Sequence, residues 1–319
     1  MTAYDSQVAY GVESAPGTRQ APTRRVEHVS FTPVFDAAII TGKGMKAGSR
    51  TARRHETGAR NPGFQASHEL SAASADALIQ QALGAVATTG TNPYSHAFTP
   101  GALVATKALT VEAAVPRDSG TVDIYSFLGC QLVSGSLSAK VGTEYAMISY
   151  TAAAMAMEDP NTRTASSASY PSAHSPFSWL DAVVTVGGTE FPLTAWELSF
   201  TTGIKTGRHR MRSTTPQNPL VAAEDQFRTF GIKLDSDYFG PDEIERFLDG
   251  TEAAVVITLG ASSSDRITIT TNAYFAKPTG ADVKGPGASS LSQSAVMHSL
   301  TSDADAITIT VENTNSAIT

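Results

Sequence analysis

His28-Val-Ser-Phe-Thr32 and Glu197-Leu-Ser-Phe-Thr201 are two versions of one stretch, 169 residues apart. In the first, Val29 and Phe31 alternate with His28, Ser30 and Thr32; in the second, Leu198 and Phe200 alternate with Glu197, Ser199 and Thr201. Successive side chains of a strand point to opposite faces, so each stretch reads as a strand buried on one face and wet on the other. A long stretch rich in Gly and Arg follows each. Beyond it a second pair aligns: Phe64-Gln-Ala-Ser-His-Glu-Leu-Ser with Phe230-Gly-Ile-Lys-Leu-Asp-Ser, at an offset of 166. Here Phe64 and Ala66 oppose Gln65, Ser67 and Glu69, while Phe230, Ile232 and Leu234 oppose Gly231, Lys233 and Asp235. The same offset carries Leu78 onto Ile244 and Gly84 onto Gly250.

Working outward, short alternating runs bounded by Gly, Pro, Asn or Asp predict strands over 26–35, 108–115, 121–127, 145–153, 182–186, 195–201, 253–259, 266–271 and 307–311. Gly187-Gly188, inside Val-Val-Thr-Val-Gly-Gly-Thr-Glu-Phe, predicts a tight hairpin. Two helices are predicted. Residues 74–83 have Ser74 as N-cap and close on Gly84; residues 241–248 open on Pro241, place acids in the first turn and close at Asp249-Gly250. Strand, long basic loop, strand, helix, strand, strand therefore occurs twice. The expectation is a mainly β chain, a β-sandwich or partial barrel with one flanking α-helix per domain, built from two copies. Copy 1 spans 1–160, a linker 161–176 lies in the Ser/Pro-rich stretch 159–176, and copy 2 spans 177–319.

The long loops concentrate positive charge. Residues 41–61 hold Lys43, Lys46, Arg50, Arg53, Arg54 and Arg60 against the single acid Glu56. Residues 203–219 hold Lys205, Arg208, Arg210 and Arg212 with no acid. Gly42, Gly44, Gly48 and Gly58 make the first an extended, pliable arm, and loops this long inside compact domains are functional or disordered. The chain as a whole carries a net charge of −7. Positive arms on an acidic body have the asymmetry that sets register and orientation in self-assembly, against a plain solvated loop or a nucleic-acid contact. The arms lack aromatic rings on which bases could stack.

The wet-face residues Ser30, Thr32, Gln65, Ser67, Glu69, Glu197, Ser199, Thr201, Lys233 and Asp235 form the second candidate set. On a sandwich that face is the outside; in a closed multi-subunit barrel it is the wall of a water-filled channel.

Chemistry of other kinds finds no footing. Gly285-Pro-Gly287 is not followed by Lys-Ser or Lys-Thr, and the sequence has no Gly-x-Ser-x-Gly and no His-Glu-x-x-His. His68 and Glu69 stand next to each other on one strand, so they point to opposite faces and share no site. One cysteine, Cys130, cannot close an internal disulfide, and no Cys/His cluster has zinc spacing. It reads as a small core residue of a protein made in a reducing cytoplasm. No cofactor is implied and no enzyme is expected. An acidic pI near 5.5 argues against bulk nucleic-acid binding. No run of about 18 apolar residues predicts a membrane span, and Met1-Thr-Ala-Tyr-Asp5 carries no secretory signature.

The chain resembles the tail tube proteins of long-tailed, double-stranded-DNA bacteriophages. The resemblance runs through Tyr10-Gly-Val-Glu-Ser-Ala-Pro-Gly-Thr18, Pro22-Thr-Arg-Arg25, Lys46-Ala-Gly-Ser-Arg50 and the helix end Leu83-Gly84. It continues through Tyr125-Ser-Phe-Leu-Gly-Cys-Gln-Leu132, residues 177–188, and the terminal Ala306-Ile-Thr-Ile-Thr-Val-Glu-Asn313. It implies a structural virion protein whose subunits form rings, with strands from every protomer closing a large β-barrel. The rings stack into the conduit for genome delivery, and DNA passes without specific binding. It also implies contacts of the long loop with neighbouring subunits and rings, and tape measure, terminator and distal tail proteins as partners. Simple members carry one domain and form hexamers. Two copies per chain therefore predict a homotrimer with pseudo-sixfold symmetry, with a homohexamer as the alternative. A repeat β-sandwich binding receptors or carbohydrates is the reading from another class; it would call for exposed aromatic clusters, and the sequence offers two tryptophans, Trp179 and Trp196.

Overall fold

The structure is a computed structural model that describes residues 6–41, 55–102, 108–117, 122–142, 144–159, 165–171, 175–211, 219, 223–237, 245, 248–275, 290–297 and 307–318. The first half holds β1 (Gln7–Val12), β2 (Arg24–Val26), β3 (His28–Thr41), β4 (His55–Glu69), helix α1 (Ala72–Leu83), β5 (Gly84–Gly90), β6 (Tyr94–Pro100), β7 (Leu109–Pro116), β8 (Val122–Lys140), β9 (Met147–Ala153) and β10 (Ala156–Met157). The second holds β11 (Ala182–Val186), β12 (Thr189–Glu190), β13 (Ala195–Thr201), β14 (Ile204–Lys205), β15 (Ala223–Glu224), β16 (Thr229–Asp237), β17 (Ala253–Ser262), β18 (Asp265–Phe275), β19 (Ser290–Met297) and β20 (Ile307–Asn313). The chain is mainly β, and all its pairings between named strands are antiparallel. Eighteen strands are joined into one sheet, and β14–β15 stand apart. No closed barrel forms among the described residues.

The order of pairing recurs. In the first half it runs β2–β1–β7–β8–β9–β4–β3. In the second it runs β12–β11–β17–β18–β19–β16–β13. β10 pairs with the first part of β8, as β20 does with the first part of β18. The β5–β6 hairpin interrupts the likeness: it follows α1 in the first half, and β6 pairs with β20 of the second.

β8 is the pivot. Its first part pairs with β7 and its second part, Ser134–Lys140, lies between β9 and β13. Sequence reading ends this strand at Phe127. The correction has a physical reason: residues 127–132 are buried without alternation, with one register shift inside them, between Phe127 and Cys130, and another at their end, between Leu132 and Ser134. A strand buried on both faces loses its period of two.

α1 is buried over all twelve residues and touches β2, β5, β6, β8, β18 and β20. Its N-cap is Ser71, not Ser74; both are buried, and the hydroxyls of the two serines bond each other at 2.8 Å. Gly84 closes the helix at φ 95°, where a Cβ would meet the carbonyl oxygen of Gly101 at 2.6 Å. A fully buried helix must satisfy its polar groups internally. Arg24 Nη1 donates to Asp76 Oδ1 at 2.6 Å, Asn315 Nδ2 to Asp76 Oδ2 at 3.1 Å, and Tyr10 Oη to the Ser74 carbonyl at 2.7 Å. Burial first, and then the Asp76 carboxylate, raise the Tyr10 phenol above its ordinary value. Asn313 Nδ2 reaches the Ala72 carbonyl at 2.9 Å. The end of the chain thus fastens the helix that follows β4.

The hairpin at Gly187-Gly188 forms as expected, with Val186 opposite Thr189 and φ values of 61° and 82°. Cys130 is free and buried, as a core residue should be. In the stretch read as a linker, Ala168 is buried and Ser169 bridges to Arg24. The predicted helix 241–248 lies largely outside the described residues; Glu245, Leu248 and Asp249 are helical.

Candidate functional site: a polar sheet face and two arms

The alternation of β4, β13 and β16 places their inward residues in the core, whereas β3 has no buried residue and its Phe31 and Pro33 are half-buried. Phe64, Ala66, His68, Trp196, Leu198, Phe200, Ile232 and Leu234 are all buried. The outward residues line up by register. Thr32 stands opposite Gln65, Gln65 opposite Thr151, Thr151 opposite Ser134, Ser134 opposite Thr201, and Thr201 opposite Thr229. Ser30 faces Ser67, Glu197 faces Lys233, Ser199 faces Gly231, and Ala195 faces Asp235. Cross-strand partners share a face. All ten wet-face candidates therefore lie on one side of the sheet β3–β4–β9–β8–β13–β16. The two halves of the chain contribute to a single surface.

Hydroxyls dominate it. Ser30 and Ser67 bond through their Oγ atoms at 2.7 Å, and Thr201 and Thr229 through their Oγ1 atoms at 2.6 Å. Lys233 Nζ lies 2.9 Å from Asp235 Oδ2, and this exposed pair adds little stability. Charged groups on the face include Glu69, Glu197 and Asp235 beside Lys140 and Lys233. Such a surface offers no ring for a base to stack on and no cationic track for phosphates to condense on.

Sequence reading missed part of this face. Ser134, Ser136 and Ser138 alternate with buried Leu137 and Ala139 on β8, and Ser149 and Thr151 lie on β9. The signal was present in Ser-Gly-Ser-Leu-Ser-Ala-Lys, but β8 was read as ending before it. The registers also correct the alignment of the two halves. Phe31 stands opposite Ala66, whereas Phe200 stands opposite Phe230. Anchored on Phe64 and Phe230, the twin of Phe200 is Pro33, which faces Phe64. The residue offset between β3 and β13 is thus 167, not 169. The two values differ by a whole period of two, so the choice of face is unchanged.

The arms are placed in part. Lys43, Lys46, Arg50, Arg53, Arg54 and Arg212 lie outside the described residues. The first arm is shorter as a loop than 41–61 suggests, because β3 and β4 stay paired from Pro33–Phe64 out to Thr41–His55. Arg60 sits on that ladder, opposite Ala37. Phe35, Ile39 and Ile40 on the same hairpin are exposed, and a lone chain rarely leaves such a group of apolar side chains in water. In the second arm, Lys205 lies 3.5 Å from Asp225, and Arg208 and Arg210 follow it along the chain. His209 Nε2 lies 3.0 Å from Asn61 Oδ1, so the base of the second arm rests on the base of the first.

Among the described residues, no three His, Cys, Asp or Glu side chains gather as metal ligands, and no helix is long and apolar enough to cross a membrane. With its named strands paired antiparallel and a broad hydroxyl-rich sheet face, the chain belongs to the class of mainly β proteins. The sequence model of one family, described as phage tail tube protein, matches residues 3–312. The chain belongs to that family, and is thereby a structural protein of the virion tail. No curated protein matches it.

Proposed function

We propose that three copies of this chain close into a ring of six tube domains, two from each chain, and that stacked rings form the tail tube through which the genome leaves. The domains are 1–160 and 177–319, joined by 161–176. The observation that carries this reading is the single polar face to which β3–β4–β9–β8 and β13–β16 contribute in register. Ser30, Thr32, Gln65, Ser67, Glu69, Glu197, Ser199, Thr201, Lys233 and Asp235 line the conduit. Their hydroxyls and mixed charges keep the wall wet and give DNA nothing to hold. The role is structural and needs no catalytic group. The chain is synthesised in the host cytoplasm and works in the virion.

The basic residues of the two arms, from Lys43 to Arg60 and from Lys205 to Arg212, join neighbouring subunits and successive rings. Their positive charge against an acidic body fixes orientation. The family's other tail proteins (tape measure, terminator, distal tail protein) meet the ends of the stack. Deletion of 43–58 is the test of the arms: the subunit stays folded by circular dichroism and polymerisation is lost. Tubes of normal length from that deletion would overturn the role of the first arm.

A further inference from the structure

β13 closes the seam between the two halves of the chain by pairing with β8, Thr201–Ala195 against Ser134–Lys140. α1 packs behind that seam, with Leu78 and Leu83 towards Leu198 and Phe200. The second arm leaves the sheet at this place, and it is held differently from the first. β3 and β4 stay paired along the first arm from Pro33–Phe64 to Thr41–His55. The ladder of β13 with β16 stops at Thr201–Thr229. Beyond it the two sides of the second arm meet in the short pair β14–β15, apart from the main sheet. A two-stranded pair this short is marginal in water, so other bonds must set the direction of the arm.

Those bonds run to the first half of the chain. Thr202 donates through its N–H to the Val133 carbonyl at 2.9 Å and through Oγ1 to the Leu132 carbonyl at 2.7 Å. His209 Nε2 lies 3.0 Å from Asn61 Oδ1 on β4. On the return side, the N–H groups of Asp225 and Gln226 both donate to the Gly203 carbonyl at 3.0 Å, which ties the two sides of the base together. Arg228 follows, donating through Nη1 to the Leu83 carbonyl and through Nη2 to the Gly101 carbonyl. The last carbonyls of a helix lack intrahelical partners and form the negative end of its dipole. α1 has no basic residue in its own last turn, so the second half supplies the cation. The Leu83 carbonyl also accepts from the Gly101 N–H at 2.9 Å, and one planar guanidinium spans both oxygens. In the first arm, at the offset of 166, Pro62 stands where Arg228 does.

We propose that the second arm is set in place by the first half of its own chain, with Arg228 as its positioning residue. The guanidinium, forked across the end of α1, fixes the direction of the arm in the isolated chain. Arg208, Arg210 and the exposed Met211 and Phe227 then meet a neighbouring subunit already in position. An arm ordered beforehand loses less freedom on assembly, which tightens the contact it makes. This role rests on the reading of the arms as joints between subunits.

The test uses the full-length chain. Arg228→Ala raises amide hydrogen exchange over 204–211 by about tenfold, the scale of a lost charge-assisted hydrogen bond. Exchange in β13 is unchanged, and the concentration at which tubes form rises by a similar factor. Arg228→Lys keeps the charge without the fork and behaves as Arg228→Ala does; behaviour like the unmodified chain would overturn the fork. Unchanged exchange over 204–211 in Arg228→Ala, or tubes at the unmodified concentration, overturns the positioning role. Should Arg228→Ala fail to fold, Asn61→Ala tests the same hold from outside the core. It loosens 207–211 and raises the tube-forming concentration, and failure to do both overturns the proposal. A triple variant, Lys205→Ala with Arg208→Ala and Arg210→Ala, separates the two readings. Normal tubes from it overturn the arms as joints, whereas its failure beside normal assembly of Arg228→Ala overturns the positioning alone.

Discussion

β13 and β3 are the same strand in two circumstances. Both alternate Ser-Phe-Thr around an apolar inner row, and both pair with the strand that returns from a basic arm. β13 has β8 on its other side and an inner row sealed against α1; β3 has no strand there among the described residues. The lesson is that alternation fixes which face of a strand is apolar, while the neighbours decide whether that face is dry. Phe31, the twin of Leu198 at the offset of 167, is half-buried where Leu198 is buried, and the difference marks a position in the sheet, not a difference in sequence design.

The largest effect expected in the isolated chain comes from what lies behind the sealed seam. Removing Arg24 by Arg24→Ala leaves the buried Asp76 carboxylate of α1 without its cation, at a cost of about 3–5 kcal/mol. Urea unfolding measures it; a loss below about 1 kcal/mol would mean that Asp76 is rehydrated and that α1 is loosely held. Next, Leu198→Ala and Val29→Ala set a buried residue of the closed strand against an exposed residue of the open one. The first costs about 2–5 kcal/mol because it opens a cavity in the seam. The second changes the isolated chain by less than about 0.5 kcal/mol, as exposed sites do. Equal effects on the isolated chain would show that β3 is covered within its own subunit. Third, Gly135→Ala places a Cβ 2.7 Å from the Ser149 carbonyl oxygen and 2.6 Å from the Phe200 ring, and costs about 1–3 kcal/mol by overpacking. Thermal unfolding reads it, and the loss should fall in Phe200→Ala, which removes the ring but not the carbonyl. The smallest effect is on the polar face. Glu197→Gln and Thr201→Ala each shift stability by less than about 0.5 kcal/mol and leave tubes intact by negative-stain microscopy.

Much of this was legible from alternation alone. β11 and β13 begin and end where the pattern of apolar and polar residues does, and the ten wet-face residues fall on one surface because each lies on the polar side of an alternating strand in register with the next. Legibility failed where a strand has no dry side to itself. β8 passes from one set of neighbours to another, so its middle is buried on both faces and reads as featureless apolar sequence. β5, β6 and β19 were missed for the opposite reason: Gly-Ala-Val-Ala-Thr-Thr-Gly and Ser-Leu-Ser-Gln-Ser-Ala-Val-Met hold few large apolar residues, and their place in the sheet comes from partners distant in sequence. The cap of α1 was misplaced because Ser71 and Ser74 are both plausible by type, and only the path of the chain from Glu69 separates them. The alignment of the halves slipped by two residues because period-two sequences match themselves at every even shift.

The central claim is that one chain supplies two of six positions around a ring. Native mass spectrometry of assembled rings, released from tubes and weighed intact, measures it. The account predicts three chains per ring, a mass of about three times the 33.3 kDa chain. Rings of six chains would contradict it.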